Sequence, residues 1–172
     1  MLIRVKGILE FSPEDVTRKH KNQSSWKRVA MIRTGCDMDR YYAWFLKKRF
    51  NLELNRNLRG SHVTFISDRL EKNIFDEATR IFNGKEIDFY IETEPRSNGS
   101  HWWLRVYSPD SESIREALGL SREPYFGLHL TIGHANERNI EHSEYIVRQC
   151  KMFELISNEP RKPFNEHDIK EF

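Results

Sequence analysis

The stretch Gly127-Leu128-His129-Leu130-Thr131-Ile132-Gly133 decides how the chain is organised, because the earlier stretch Ser61-His62-Val63-Thr64-Phe65-Ile66 repeats its pattern. Each stretch has a histidine, one apolar residue and a threonine, followed by mostly apolar positions. In an extended strand, side chains two residues apart leave the same face. Each stretch is therefore predicted to be a strand that presents an imidazole and a hydroxyl side by side, while Val63 or Leu130 points into a core.

Two such strands facing each other would bring two imidazoles and two hydroxyls together around one ligand. Cleavage of a phosphodiester by in-line attack requires a base for the nucleophile, an acid for the leaving oxygen, and groups that hold charge on the phosphoryl oxygens. Histidine, with an ordinary pKa of about 6.5, performs either proton transfer near neutral pH. Threonine hydroxyls donate hydrogen bonds to non-bridging oxygens. The repeated pattern therefore favours phosphate chemistry that requires no metal ion.

The composition is that of an ordinary globular chain. Its 172 residues form one domain, or one domain of two small lobes, with 38% hydrophobic residues to build a core. The net charge of +2 argues against binding of nucleic acid through an overwhelming positive field. Cys36 and Cys150 lie far apart without a CxxC pair, which favours a reducing, cytoplasmic location. No apolar run approaches the roughly 18 residues of a membrane span, so no membrane partner is expected.

Apolar periodicity predicts alternating strands and helices. The predicted strands cover residues 2–11, 26–33, 61–67, 86–92, 101–107 and 126–133, and the predicted helices cover 38–50, 69–82 and a short segment from 109 to Gly119. Asp68 to Glu71 has the spacing of a capping box, which places the start of the second helix at 69.

The remaining segments carry weaker patterns. Residues 12–27 and 135–141 are predicted loops. Residues 145–156 fit a helix or a strand, and alternation around Met152 favours a strand for the second half. The interpretation is a single domain over 1–157, followed by a loosely packed tail over 158–172.

The two motifs, whose histidines are 67 residues apart (129 − 62), resemble the paired H-x-[ST] motifs of the 2H phosphoesterase superfamily. That superfamily includes bacterial LigT-type RNA 2′,3′-cyclic phosphodiesterases and phage enzymes that degrade cyclic nucleotide immune signals. The resemblance implies an α+β fold in which two pseudo-symmetric lobes with antiparallel sheets flank a central cleft, with helices outside. It also implies that His62 and His129 are the acid–base pair and that Thr64 and Thr131 hold the phosphate.

Three further residues are candidates for contacting the substrate. Tyr125 lies just before the second motif, where its ring would line the cleft, and Arg59 lies just before the first, where it would contact phosphate. Trp102 lies near the start of the predicted strand over 101–107, where alternation sends it and Trp103 to opposite faces; the alternative is that both pack in the core. A tryptophan exposed beside the site would stack on a base. A zinc site using His129 and His134 is not expected, because residues five apart on a strand point to opposite faces.

The expected activity is that of a metal-independent phosphodiesterase without a cofactor. Its substrate would be an RNA 2′,3′-cyclic phosphate end or a cyclic di- or oligonucleotide signal, the latter implying a phage anti-defence enzyme. The alternative is a non-catalytic RNA- or nucleotide-binding module of the same fold. The presence of both histidines and both threonines favours the enzyme. The sequence leaves open which histidine is the acid, whether water or a ribose hydroxyl attacks, and the oligomeric state.

Overall fold

A computed structural model describes residues 1–13, 28–57, 59–67 and 70–152. The strands in these ranges are β1 (Leu2–Phe11), β2 (Ala30–Thr34), β3 (Asn55–Arg56), β4 (His62–Ile66), β5 (Glu86–Glu92), β6 (Arg96–Ser97), β7 (His101–Tyr107) and β8 (His129–His134). The helices are α1 (Met38–Phe50), α2 (Lys72–Phe82), α3 (Pro109–Ala117) and α4 (Ile140–Gln149). Within the described ranges, no helix has the length and apolar character needed to cross a membrane.

The strands form one antiparallel sheet in the order β3-β8-β4-β2-β1-β5-β7-β6. Because β8 also pairs with β7, six strands close into a barrel, and β3 and β6 extend it. The prediction of an α+β fold with antiparallel pairing is thus confirmed.

The second half of this architecture repeats the first. β1, β2, α1, β4 and α2 follow one another along the chain, and β5, β7, α3, β8 and α4 repeat that order. In each half, the three barrel strands are neighbours in the sheet in the order in which they occur in the chain. The halves meet where β1 pairs with β5 and where β4 pairs with β8. The two His-x-Thr motifs therefore occupy equivalent places.

One face of the sheet carries the apolar core. A row of cross-strand neighbours is almost completely buried and runs through Leu9, Ile32, Val63, Leu130 and Leu104. These residues belong to the same cluster as the buried apolar side chains of the helices, namely Tyr42, Leu46, Phe75, Ala78, Ile114, Ile146 and Val147. The helices therefore cover this face, and the alternate residues of each strand lie on the other face.

Several predicted elements match the structure, because period-two alternation and a helical stripe are strong local patterns. The predicted bounds of β1, α1, β5 and β7 are confirmed. The start of α2 is wrong, since the helix begins at Lys72 and its N-cap Glu71 makes no side-chain capping bond. Leu70 is instead buried in the core, where its carbonyl accepts a hydrogen bond from Arg28.

The segment after β8 also differs from expectation. The sequence predicts a loop through residue 141, but α4 begins at Ile140 and buries Ser143, Ile146 and Val147 at helical spacing. For residues 145–149 the helix alternative is therefore confirmed. The expected strand beyond Met152, the tail over 158–172 and the loop over 14–27 lie outside the described residues.

Candidate active site

The two motif strands lie side by side in the sheet. β4 and β8 pair antiparallel with Val63 opposite Leu130, and both side chains are completely buried on the helix-covered face. The residues on either side of this pair alternate to the other face. These residues are His62, Thr64, His129 and Thr131, which we call the quartet.

The register determines the spacing within the quartet. His62 lies opposite Thr131, and Thr64 lies opposite His129, because positions in an antiparallel pair run in reverse order. Directly opposite side chains have Cβ atoms about 4.5–5.5 Å apart, and diagonal neighbours about 7–8 Å apart. Each histidine thus has a threonine opposite it, and the two histidines are diagonal neighbours across the strand pair. His62 is 8% exposed, and the other three side chains are half-buried.

A hydrogen bond to a backbone carbonyl two residues earlier orients each imidazole. His62 Nδ1 lies 2.9 Å from the carbonyl of Gly60, and His129 Nδ1 lies 3.0 Å from the carbonyl of Gly127. A carbonyl only accepts, so each Nδ1 carries a proton and each neutral ring has its lone pair on Nε2. Both glycines have positive φ, 68° and 60°, which glycine adopts without a steric penalty. The turn before each strand therefore fixes the tautomer of its histidine.

An arginine stands beside each histidine on the neighbouring strand. Arg33 on β2 pairs with His62, and Arg105 on β7 pairs with His129. Arg33 Nη2 lies 2.8 Å from a Glu10 carboxylate oxygen, and Arg105 Nη1 lies 3.9 Å from a Glu92 carboxylate oxygen. The quartet is thus flanked by one guanidinium on each side. Arg33 is not singled out by the sequence, because its position depends on a register across strands rather than on a local pattern.

Arg33 and Arg59 meet in the turn before β4. The Arg33 guanidinium donates to the Arg59 carbonyl, and the Arg59 amide donates to Asn57 Oδ1 at 3.3 Å. Arg59, predicted from the sequence to contact phosphate, is buried in this turn next to Gly60. Its backbone therefore helps to fix the loop that orients His62.

The two tryptophans of β7 lie on opposite faces, as alternation predicts. Trp102 is completely buried on the helix-covered face, where its Nε1 donates to Ser143 Oγ of α4 at 2.8 Å. Its ring is therefore enclosed by the core and does not reach a base, contrary to the role predicted from the sequence. Trp103 is the tryptophan on the face of the quartet, opposite Thr131 and also largely buried.

The loop before β8 carries the exposed aromatic residues nearest to the second motif along the chain. Tyr125 is 67% exposed, and its ring meets that of Phe126 edge-on at 4.8 Å. The loop is anchored by Arg115 of α3, which is completely buried and donates to the carbonyls of Ser121 at 2.8 Å and Phe65 at 2.6 Å. Tyr125 therefore projects from a loop that is tied to both α3 and β4.

The quartet and its two arginines, each near a glutamate carboxylate, combine proton-transfer groups, hydroxyl donors and guanidinium N–H donors on one face, and chemistry on a phosphate ester uses such groups. Among the described residues, no group of three or more His, Cys, Asp or Glu side chains is arranged to hold a metal ion. Comparisons with protein-family models, curated proteins and solved structures give no match to this chain.

Proposed function

We propose that this protein is a metal-independent phosphodiesterase in which His62 and His129 act as general acid and base on a nucleotide phosphodiester. The observation that carries the proposal is the pairing of Val63 with Leu130, which sets both histidines and both threonines on one face. The hydrogen bonds from Nδ1 of each histidine to a glycine carbonyl support the proposal further. They occupy Nδ1, so Nε2 is the ring nitrogen left for proton transfer.

Hydrolysis of a 2′,3′-cyclic phosphate uses every member of the quartet. One imidazole removes a proton from water through Nε2, and the water oxygen forms a bond to phosphorus. The bond from phosphorus to one ribose oxygen breaks, and the other imidazole, protonated at the start, gives its proton to that oxygen. Thr64 and Thr131 donate to the non-bridging oxygens, and the product is a ribose phosphomonoester.

The same two proton transfers serve a second nucleophile. Where a ribose 2′-hydroxyl attacks the adjacent phosphodiester, one imidazole accepts its proton and the other protonates the departing 5′-oxygen, leaving a 2′,3′-cyclic phosphate. The substrate classes are therefore an RNA 2′,3′-cyclic phosphate end and a cyclic di- or oligonucleotide signal, with phage anti-defence as the role for the latter. We assign Tyr125 to stacking on a base, because its ring is exposed in the loop that leads into the second motif.

The finer fold that accompanies this function is bilobal. We infer one lobe from β1, β2 and β4 and the other from β5, β7 and β8, with the quartet where the two meet and helices outside. The recurrence of strand, strand, helix, motif strand and helix in both halves supports this division.

The test is turnover, in EDTA, of a panel that contains an RNA 2′,3′-cyclic phosphate end and several cyclic dinucleotides. We expect cleavage to survive EDTA and kcat to fall by about 10²–10⁴-fold in His62→Ala and in His129→Ala. The matched control is His142→Asn, since His142 lies on α4 with Nε2 2.8 Å from the Phe50 carbonyl, outside the quartet. This control should keep the turnover of the parent.

The alternative of a binding module gives a different result. A module that only grips phosphate would bind members of the panel without cleaving them, and both alanine variants would keep that binding. That combination would overturn the assignment of His62 and His129 as acid and base.

A further inference from the structure

A second pair of histidines lies on the face of the quartet. β7 alternates without interruption, and Trp102 and Leu104 point to the helix-covered face. His101 therefore shares the other face with Trp103 and Arg105. The partner of His101 across the ladder is His134 of β8, and their rings stack with centroids 6.0 Å apart.

A bulge in β8 turns His134 to this face. Trp103 pairs with Thr131, whereas Trp102 pairs with Gly133, so Ile132 is an extra residue. On a regular strand, His129 and His134 would point to opposite faces, as the sequence alone predicts. The extra residue reverses that alternation, so the expectation is wrong. Both histidines of β8 thus lie on one face.

The pair is close to the quartet. His101 lies two residues beyond Trp103, the partner of Thr131, which is about 7 Å along the strand. Asn55 of β3 lies opposite His134 across the ladder, and its Nδ2 approaches His134 Nε2 at 3.5 Å. The second histidine pair and the quartet therefore lie on the same face of β7 and β8, about 7 Å apart along the strands.

The groups around the pair suit a phosphate diester. An open pocket of about 540 Å³ adjoins His134 and is lined by Asn55, His134, Ala135, Asn136, Glu137 and Arg138. Imidazole, amide and guanidinium groups supply N–H donors that the oxygens of a phosphate accept. Glu137 in the same pocket disfavours a doubly charged group. A diester phosphate, with one negative charge, fits this balance.

We propose that His101, His134 and Asn55 bind a second phosphate of the substrate, one nucleotide away from the phosphate cleaved at the quartet. This inference rests on the proposed function and narrows its substrate class to dinucleotides and longer chains, linear or cyclic. A mononucleoside 2′,3′-cyclic phosphate leaves this subsite empty and is the poorer substrate.

The test compares two substrates with the same terminal base, a dinucleotide with a 2′,3′-cyclic phosphate end and the mononucleoside 2′,3′-cyclic phosphate. We expect the parent to favour the dinucleotide in kcat/KM. The ratio of the two kcat/KM values should fall by about tenfold in His101→Asn and in His134→Asn, since each removes a hydrogen bond to a charged group. His142→Asn should leave the ratio unchanged. An unchanged ratio in both pair variants would overturn the subsite.

A binding measurement separates this inference from the proposed function. If neither substrate is cleaved, calorimetric titration with a 5′-phosphorylated dinucleotide and with the corresponding nucleoside monophosphate still reports on the subsite. In one outcome the parent prefers the dinucleotide, and His101→Asn and His134→Asn each abolish that preference. This result would support the subsite even though the assignment of His62 and His129 as catalytic residues had failed. Equal affinity of the parent for both compounds would overturn the subsite, whatever the fate of the catalytic assignment.

Discussion

At the scale of single residues, each histidine of the quartet depends on the glycine two positions before it. The carbonyls of Gly60 and Gly127 hold the Nδ1 protons, and both glycines have a positive φ that brings the chain round to make this contact. A carbonyl accepts a hydrogen bond from Nδ1–H of either the neutral or the protonated ring, so this contact orients the ring in both states. The backbone therefore sets the tautomer of each neutral ring.

Gly60→Ala should lower the free energy of unfolding by about 1–2 kcal/mol, because an L-residue is strained at φ 68°. No heavy atom lies within 4 Å of the added Cβ, so the backbone alone causes the loss. Urea denaturation measures it. The control is Gly35→Ala, where the space is equally open and φ is not positive, and where alanine should be neutral or slightly stabilising. Equal stability of the two variants would contradict the role of backbone strain.

The His101 ring should titrate below the ordinary histidine value of 6.5, because burial and then the neighbouring His134 lower its pKa. Ser100 and Asn55 beside the pair are neutral, while Glu137 and Arg138 line the adjoining pocket. The folded chain thus binds a proton at His101 less readily than the unfolded chain does. The contribution of His101 to the free energy of unfolding is therefore complete above pH 6.5 and is lost as the pH falls below 6.5. NMR titration of the imidazole C–H signals measures the pKa.

His134→Asn separates the two causes of that shift. Removing the second ring should raise the pKa of His101 part of the way toward 6.5, since burial, the larger cause, remains. A His101 pKa at or above the ordinary value in the parent would contradict the closely packed pair.

At the scale of secondary-structure elements, β8 pairs with three strands and connects the two candidate sites. It pairs with β4 at the quartet, with β7 along its whole length and with β3 at its end. Gly133 permits the last contact, because an added Cβ would lie 2.5 Å from the Asn55 carbonyl oxygen, which is backbone. The close approach of β3 therefore requires glycine at this position.

Gly133→Ala should push β3 away from β8 and carry Asn55 away from His134, at a cost of about 1–3 kcal/mol in the free energy of unfolding. The dinucleotide-to-mononucleoside ratio of kcat/KM should fall with it. Chemical denaturation and the two-substrate assay check both effects, with Gly35→Ala as the control. A variant that keeps both the parent's stability and its ratio would show that β3 is not held at this contact.

Local patterns predict elements well and cross-strand neighbours poorly. His62 and Thr64 are recognisable because their spacing of two is a property of any strand. The positions of Arg33 and Arg105 beside the histidines depend on registers between strands that are distant in sequence. The bulge at Ile132 is likewise invisible in a period-two pattern, so the sequence places His134 on the wrong face. The burial of Trp102, by contrast, follows a local pattern, since Trp102 alternates onto the same face as the buried Leu104 and Val106.

At the scale of the whole molecule, near-symmetry poses a chemical problem. Each histidine has a glycine carbonyl at Nδ1, a threonine opposite and an arginine on the next strand. The proposed reaction nevertheless requires one histidine to accept a proton while the other donates one. Their surroundings differ in detail, since His62 is buried with Asn57 beside it, whereas His129 is half-buried. These differences and the asymmetric substrate must divide the roles.

The double variant His62→Ala/His129→Ala tests whether both halves of the molecule act on one phosphate. Because one proton transfer without the other leaves the step incomplete, the loss of kcat in the double variant should lie within about tenfold of the larger single loss. The pH dependence of kcat/KM should have two limbs in the parent and should lose a different limb in each single variant. A double loss equal to the product of the single losses would mean that the histidines act independently, so that the quartet would not be a single site.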